Sequence, residues 1–212
     1  MRVRPVTPEL LASEVVDRID ALPRRWARVA VDGAPAADTD GFAASLVEPL
    51  RTLGREVVRV RTADYLRPAS LRLEHGHHDP DSFYESWFDL KGLAREVLNP
   101  LSDSGTGQVL PALWDAAADR SPRLPRVTLP DRGVAIVDGP LLLGSGLPFD
   151  FAVHLWLPAA ALERRTPEPD RWMLPAFHRY ADEVGPENVA DVADVVVRVD
   201  RPGRPAIIDS LD

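Results

Sequence analysis

Five short runs of nearly unbroken apolar character constrain this chain more than any other feature. They lie at residues 28–33, 57–62, 134–137, 151–157 and 194–199. Each is too short for a stable helix and mostly apolar, so each reads as a strand of a sheet covered on both faces. Helical patterns separate them. Thr7 and Pro8 form an N-cap and first-turn proline, after which Leu11, Val15, Ile19 and Leu22 repeat at helical spacing as far as Pro23. Phe42, Leu46 and Leu50 mark a second helix over 41–53, and further helices are expected at 90–98 and 176–184. Apolar strands alternating with helices predict an α/β domain with a five-stranded parallel sheet flanked by helices. Ligands of such sheets sit beyond the C-terminal strand ends, a place that gathers Gly33, residues 62–65 and the pair Asp138-Gly139. The expected organisation is an N-terminal helical extension over 1–27 and the α/β domain over 28–212, with a short lid around 158–175.

Composition narrows the function classes. A chain of 212 residues with 45% hydrophobic and 27% charged content is an ordinary globular domain. No apolar run approaches the roughly 18–20 residues of a membrane span, and no signal-peptide pattern opens the chain, so a cytoplasmic protein without membrane contact is expected. The absence of cysteine excludes a disulfide scaffold, cysteine-ligated zinc, iron–sulfur clusters and thiol catalysis. With 33 acidic against 25 basic residues, a net charge of −8 speaks against nucleic acid as a partner. A small molecule is the expected partner, and the oligomeric state is not legible.

Several residues are chemically suggestive, each beside a plainer role. Asp138 closes an apolar strand, where it could orient a metal or cap the following turn. Asp64 could face the crevice or serve a cap or turn. His75, His77, His78 and Asp79 carry donors suited to zinc or iron, yet a surface or ligand-contacting loop is the expectation, with no metal site. Tyr84, Trp87 and Phe88 could wall a nucleobase-sized pocket or pack against the main domain. Arg164, Arg165 and Arg171 could contact phosphates from a lid or pair with Glu163 and Glu168. His154, inside an apolar strand, is expected to be a hydrogen-bonded core residue.

The segments VAVDG (29–33), TADYLRP (62–68), DPDSFYESWFDL (79–90), NPLSDSGTGQVLPALWD (99–115) and VAIVDGPLLL (134–143) resemble the uridine kinase-like group of P-loop kinases. So do RRTPEPDRW and ADVVVRV nearer the C-terminus, and the resemblance, of actinobacterial type, spans roughly residues 28 to 208. It implies a P-loop nucleoside kinase fold, ATP and Mg²⁺ as cofactors, and transfer of the γ-phosphate to a nucleoside 5′-hydroxyl. Asp64 and Asp138 would then be catalytic, with Tyr65, Arg67, His77, Tyr84, Arg164, Arg165 and Arg171 at the substrate or lid.

The loop at the centre of that resemblance departs from it. A phosphate loop requires G-x-x-x-x-G-K-[ST]: backbone N–H groups cradle phosphate, lysine neutralises it and the hydroxyl binds Mg²⁺. From Gly33 this chain places Asp38 at the second glycine, Thr39 at the lysine and Asp40 at the hydroxyl, while Pro35 removes one N–H. Two unit charges 4 Å apart interact by roughly 4 kcal/mol at an effective dielectric of about 20. One lost attraction plus one gained repulsion thus weakens ATP binding by up to about 8 kcal/mol, the whole free energy of a micromolar complex. Of the 25 basic residues the sole lysine is Lys91, distant in sequence, so neutralisation at the loop falls to arginine or a metal held by Asp40. Two functions remain: a uridine kinase-like phosphotransferase working by an altered route, or a catalytically degenerate relative binding a nucleoside-like ligand or a protein partner without ATP turnover.

Overall fold

A computed structural model describes residues 2–184 and 193–209. The chain opens with β1 (Arg2–Pro5), α1 (Pro8–Asp20), β2 (Ala27–Asp32), α2 (Thr39–Thr52) and β3 (Val57–Arg61). Its middle holds the short helices α3 (Ala69–Arg72), α4 (Pro80–Ser86) and α5 (Leu90–Leu93), then the two-residue strands β4 (Gln108–Val109) and β5 (Val127–Thr128). There follow β6 (Val134–Gly139), β7 (Phe151–Trp156), α6 (Ala159–Arg165), α7 (Leu174–Val184), β8 (Val195–Arg198) and β9 (Ala206–Asp209).

All five expected apolar runs become parallel strands, ordered β8-β7-β2-β6-β3. Among the described residues the sheet nevertheless has seven strands where five were expected, because β9 pairs antiparallel with β8 and β1 antiparallel with β9. Each added strand has only four residues, and β1 reads Arg-Val-Arg-Pro, with no apolar run to announce it. Its partner lies at the far end of the sequence, so only tertiary pairing reveals it. Proline suits this position at the sheet edge, where no ladder partner needs its missing N–H.

The helices begin and end for local reasons. Thr7 caps α1, its hydroxyl accepting from Leu10 N at 3.2 Å, and Leu11, Val15, Val16 and Ile19 bury one face. The helix expected over 90–98 divides: α5 passes into a π turn at Ala94–Leu98 and a 3₁₀ turn at Asn99–Leu101. Pro100, lacking an N–H, ends the helical run there. Ala176, Phe177, Tyr180 and Val184 form the buried face of α7. No helix among the described residues is long and apolar enough to cross a membrane.

Arg55 locks α1 to the start of the sheet. Its side chain is 1% exposed, with Nη1 donating to Ile19 O at 2.9 Å and Nε to Arg132 O at 2.7 Å. Burial pulls its pKa down, with Asp20 opposing. Replacing it by alanine removes a buried donor to two carbonyls and one of the two arginines on Asp20 and leaves a cavity, so Arg55→Ala is expected to lower stability by about 2–4 kcal/mol in urea unfolding.

Candidate functional site

Residues in register within a parallel sheet share a face, and alternate residues switch faces. Val31 pairs with Asp138 and Arg61 with Asp138, which puts Arg59, Arg61 and Asp138 on one face at the C-terminal ends of the strands. Asp32 pairs with Gly139 and His154, and lies on the other face. The crevice therefore has two charged layers, divided by the sheet.

The loop after β2 runs close to its surroundings. A Cβ on Gly33 would stand 2.8 Å from Leu155 O and 3.2 Å from Thr39 Cγ2, so glycine is needed there. Pro35–Ala37 form a 3₁₀ turn, with Ala37 N donating to Ala34 O at 2.8 Å and Asp38 N to Pro35 O at 3.1 Å. Asp38 adopts φ 62 and ψ 51, the left-handed conformation that glycine adopts most easily. From there its carboxylate accepts from Gly41 N at 3.1 Å, capping the N-terminus of α2. Thr39 is buried, turned inward against Gly33. Asp38 and Asp40 are both exposed, the Asp40 side chain by 71%.

Asp40 and Asp138 meet through a residue that the sequence reading did not single out. Arg59 Nη2 lies 2.9 Å from Asp40 Oδ1 and 2.8 Å from Asp138 Oδ1. Burial opposes the charge on Arg59, but the bonds to Asp138 and Asp40 outweigh it and raise its pKa. Asp138 is 3% exposed; burial pushes its pKa up, and Arg59 holds it partly back. Arg61 bonds Asp64 through Nε and Nη2, both at 2.9 Å. The signal for Arg59 was the alternation Val-Val-Arg-Val-Arg in β3, which sets two arginines on one face beside the crevice. Gly139 allows the tight closure behind them, since a Cβ there would stand 1.9 Å from Thr62 Oγ1.

On the opposite face Asp32 is fully buried. It accepts from Leu142 N at 2.9 Å and bonds His154 Nδ1 at 2.6 Å. Tyr180 of α7 accepts from Leu143 N at 2.9 Å, and burial together with the nearby Asp32 raises its pKa. His154 is a hydrogen-bonded residue of the core, tying β7 to β2.

The remaining candidate residues scatter. Tyr65 is buried and donates to Leu110 O at 2.6 Å. Arg67 Nη1 donates to Ser86 O at 3.3 Å and lines a cavity of about 440 Å³ with His75 and Asp79. His77 is exposed in a turn, and Asp79 caps α4 through Ser82 N at 2.6 Å. No group of three or more histidine and carboxylate side chains suited to a metal occurs among the described residues. Tyr84 donates to Glu183 and lies 4.2 Å from the Arg179 guanidinium. Trp87 packs on Phe83 and Trp172, and Phe88 on Phe83, within one aromatic cluster. Of the arginines expected in a lid, Arg164 donates to Ala160 O, Arg165 to Val199 O at 2.8 Å, and Arg171 pairs with Glu168 at 2.7 Å. All three make their described bonds away from the loop after β2. A groove of about 1150 Å³ runs from Ala36–Asp38 along α1 and α2, walled by Leu11, Val16, Phe42 and Pro202 and reached by Arg165; Asp40, Asp138 and Arg59 do not line it.

No protein-family model and no curated protein sequence matches the chain. Solved structures do share its fold. One, described as a candidate uridine kinase from Bacillus stearothermophilus, has a TM-score of 0.67 and 18% identity, covering 87% of this chain and 96% of its own. Another, a candidate fructose transport system kinase from Silicibacter sp. TM1040, has a TM-score of 0.59 and 24% identity, covering 90% and 98%. The fold is that of P-loop kinases, a mostly parallel sheet flanked by helices.

Two outcomes follow from this geometry. Asp38→Ala removes a cap and leaves alanine at φ 62, and thermal melting should show a loss of about 1–2 kcal/mol; Asp38→Gly, at ease in that conformation, should lose less. Burial raises all three tyrosines, Tyr84 to about 12 with help from its bond to Glu183. Absorbance titration should therefore show no tyrosinate step at the usual value of about 10 while the chain is folded.

Proposed function

We propose that this protein uses a uridine kinase-like P-loop scaffold to bind a nucleoside-like small molecule without turning over ATP. The observation that carries the reading is Asp38. Its carboxylate caps the first turn of α2, where a phosphate loop would present N–H groups to a nucleotide. An anionic phosphate brought there meets a carboxylate already bonded to the same backbone.

The donor set does not fit the nucleotide and Mg²⁺ that the resemblance implies. Thr39, at the lysine position, is buried and points inward. Asp40, at the hydroxyl position, shares the Arg59 guanidinium with Asp138. Asp64, at the candidate base, is engaged by both nitrogens of Arg61. A phosphotransfer reading would need a lid arginine turned to the loop, and Arg164, Arg165 and Arg171 bond elsewhere. The groove beside the loop offers a ligand room, being large enough for a drug-sized molecule and mostly apolar in its walls. The neighbour described as a uridine kinase makes a nucleoside the first ligand class to test.

Calorimetric titration with Mg-ATP is expected to give no binding heat, while uridine and related nucleosides raise the melting temperature. Micromolar affinity for Mg-ATP would overturn the reading.

A further inference from the structure

We propose that Arg59 is a built-in counter-cation that takes the place of a divalent metal between Asp40 and Asp138 and closes the crevice to metal ions. One nitrogen, Nη2, contacts both Asp40 Oδ1 at 2.9 Å and Asp138 Oδ1 at 2.8 Å. The two carboxylates come from different elements, the first turn of α2 and the end of β6. A divalent ion bridging those elements would use the same two oxygens, so the ion and the guanidinium compete for one place.

Charge explains why the place needs a cation. A carboxylate at position 40 sets a second negative charge beside the buried Asp138, and that pair is costly unless a positive charge lies between. Arginine meets the need permanently, because its guanidinium does not lose its proton. Its stem crosses from β3 largely covered, the side chain being 25% exposed. Nε finds no partner among the described residues, so the described bonds of the guanidinium are those to the two aspartates. A nearby second cation, Arg61, paired with Asp64, adds positive charge on the same face against an entering metal. Together Arg59 and Arg61 oppose three carboxylates, leaving one net negative charge where an acidic cluster would otherwise hold three.

This deepens the proposed function at the same site, but its test contains no nucleotide, so either can fail alone. Mn²⁺ binding is measured by electron paramagnetic resonance on the wild type, Arg59→Gln, Arg59→Lys and the double variant Arg59→Gln/Asp138→Asn. The wild type should bind no Mn²⁺ below millimolar concentration, and its melting temperature should be indifferent to EDTA. Arg59→Gln should bind Mn²⁺ at least about tenfold more tightly, the lower end of what one removed cationic charge is worth at this range. Asp138→Asn in that background should abolish the gain, and Arg59→Lys, which keeps the charge, should stay as closed as the wild type. The proposal is overturned if the wild type or Arg59→Lys binds Mn²⁺ as tightly as Arg59→Gln, if Arg59→Gln shows no gain, or if the gain survives Asp138→Asn. Should Arg59→Gln lose its far-UV helical signal, recovery on adding Mn²⁺ supports the proposal and failure to recover overturns it.

Discussion

The register in which β2 lies between β6 and β7 governs where each charge of the crevice stands. It aligns Val31 with Asp138 and Asp32 with both Gly139 and His154. A slip of β2 by one residue would turn Asp32 to the side of α2, away from His154 and α7. The same β6 that β2 is seated on pairs with β3, and that second register sets Arg61 beside Asp138. The apolar residues of β2 and β6, buried on both faces, hold the register, and the polar layers take their positions from it.

The two layers solve the same electrostatic problem differently. Asp32 has a peptide N–H, an imidazole and a phenol around it, all drawn from neighbouring strands and α7. Those contacts join β2, β7, the chain after β6, and α7 into one unit. Asp138 instead depends on a full positive charge from β3, shared with Asp40. The first layer serves cohesion between elements. The second neutralises acids at the C-terminal ends of the strands, one buried and one exposed.

Much of the architecture was legible because burial writes itself into sequence as apolar runs. All five parallel strands, α1, α2 and α7 follow from such runs and from caps such as Thr7. What escaped was the antiparallel edge: β1 and β9 have four residues each, and the two lie at opposite ends of the described sequence. At the site, Asp38, Thr39, Asp40 and Asp138 could be located by position alone, since a loop after the first parallel strand has only one place to go. Arg59 could not be assigned a role, because an alternating strand at a sheet edge reads as showing its arginines to water. Only the packing of α2 over β3 and β6 brings Asp40 within its reach.

The left-handed residue at the head of α2 carries a wider consequence. Asp38 keeps a backbone path that suits glycine, although it is an aspartate and its side chain serves the helix. The path is dictated by joining a strand end to a helix start within a few residues, a geometric demand that persists whatever the loop binds. Shape and chemistry have come apart at this turn. What a ligand meets at this loop is an exposed carboxylate bonded to Gly41 N.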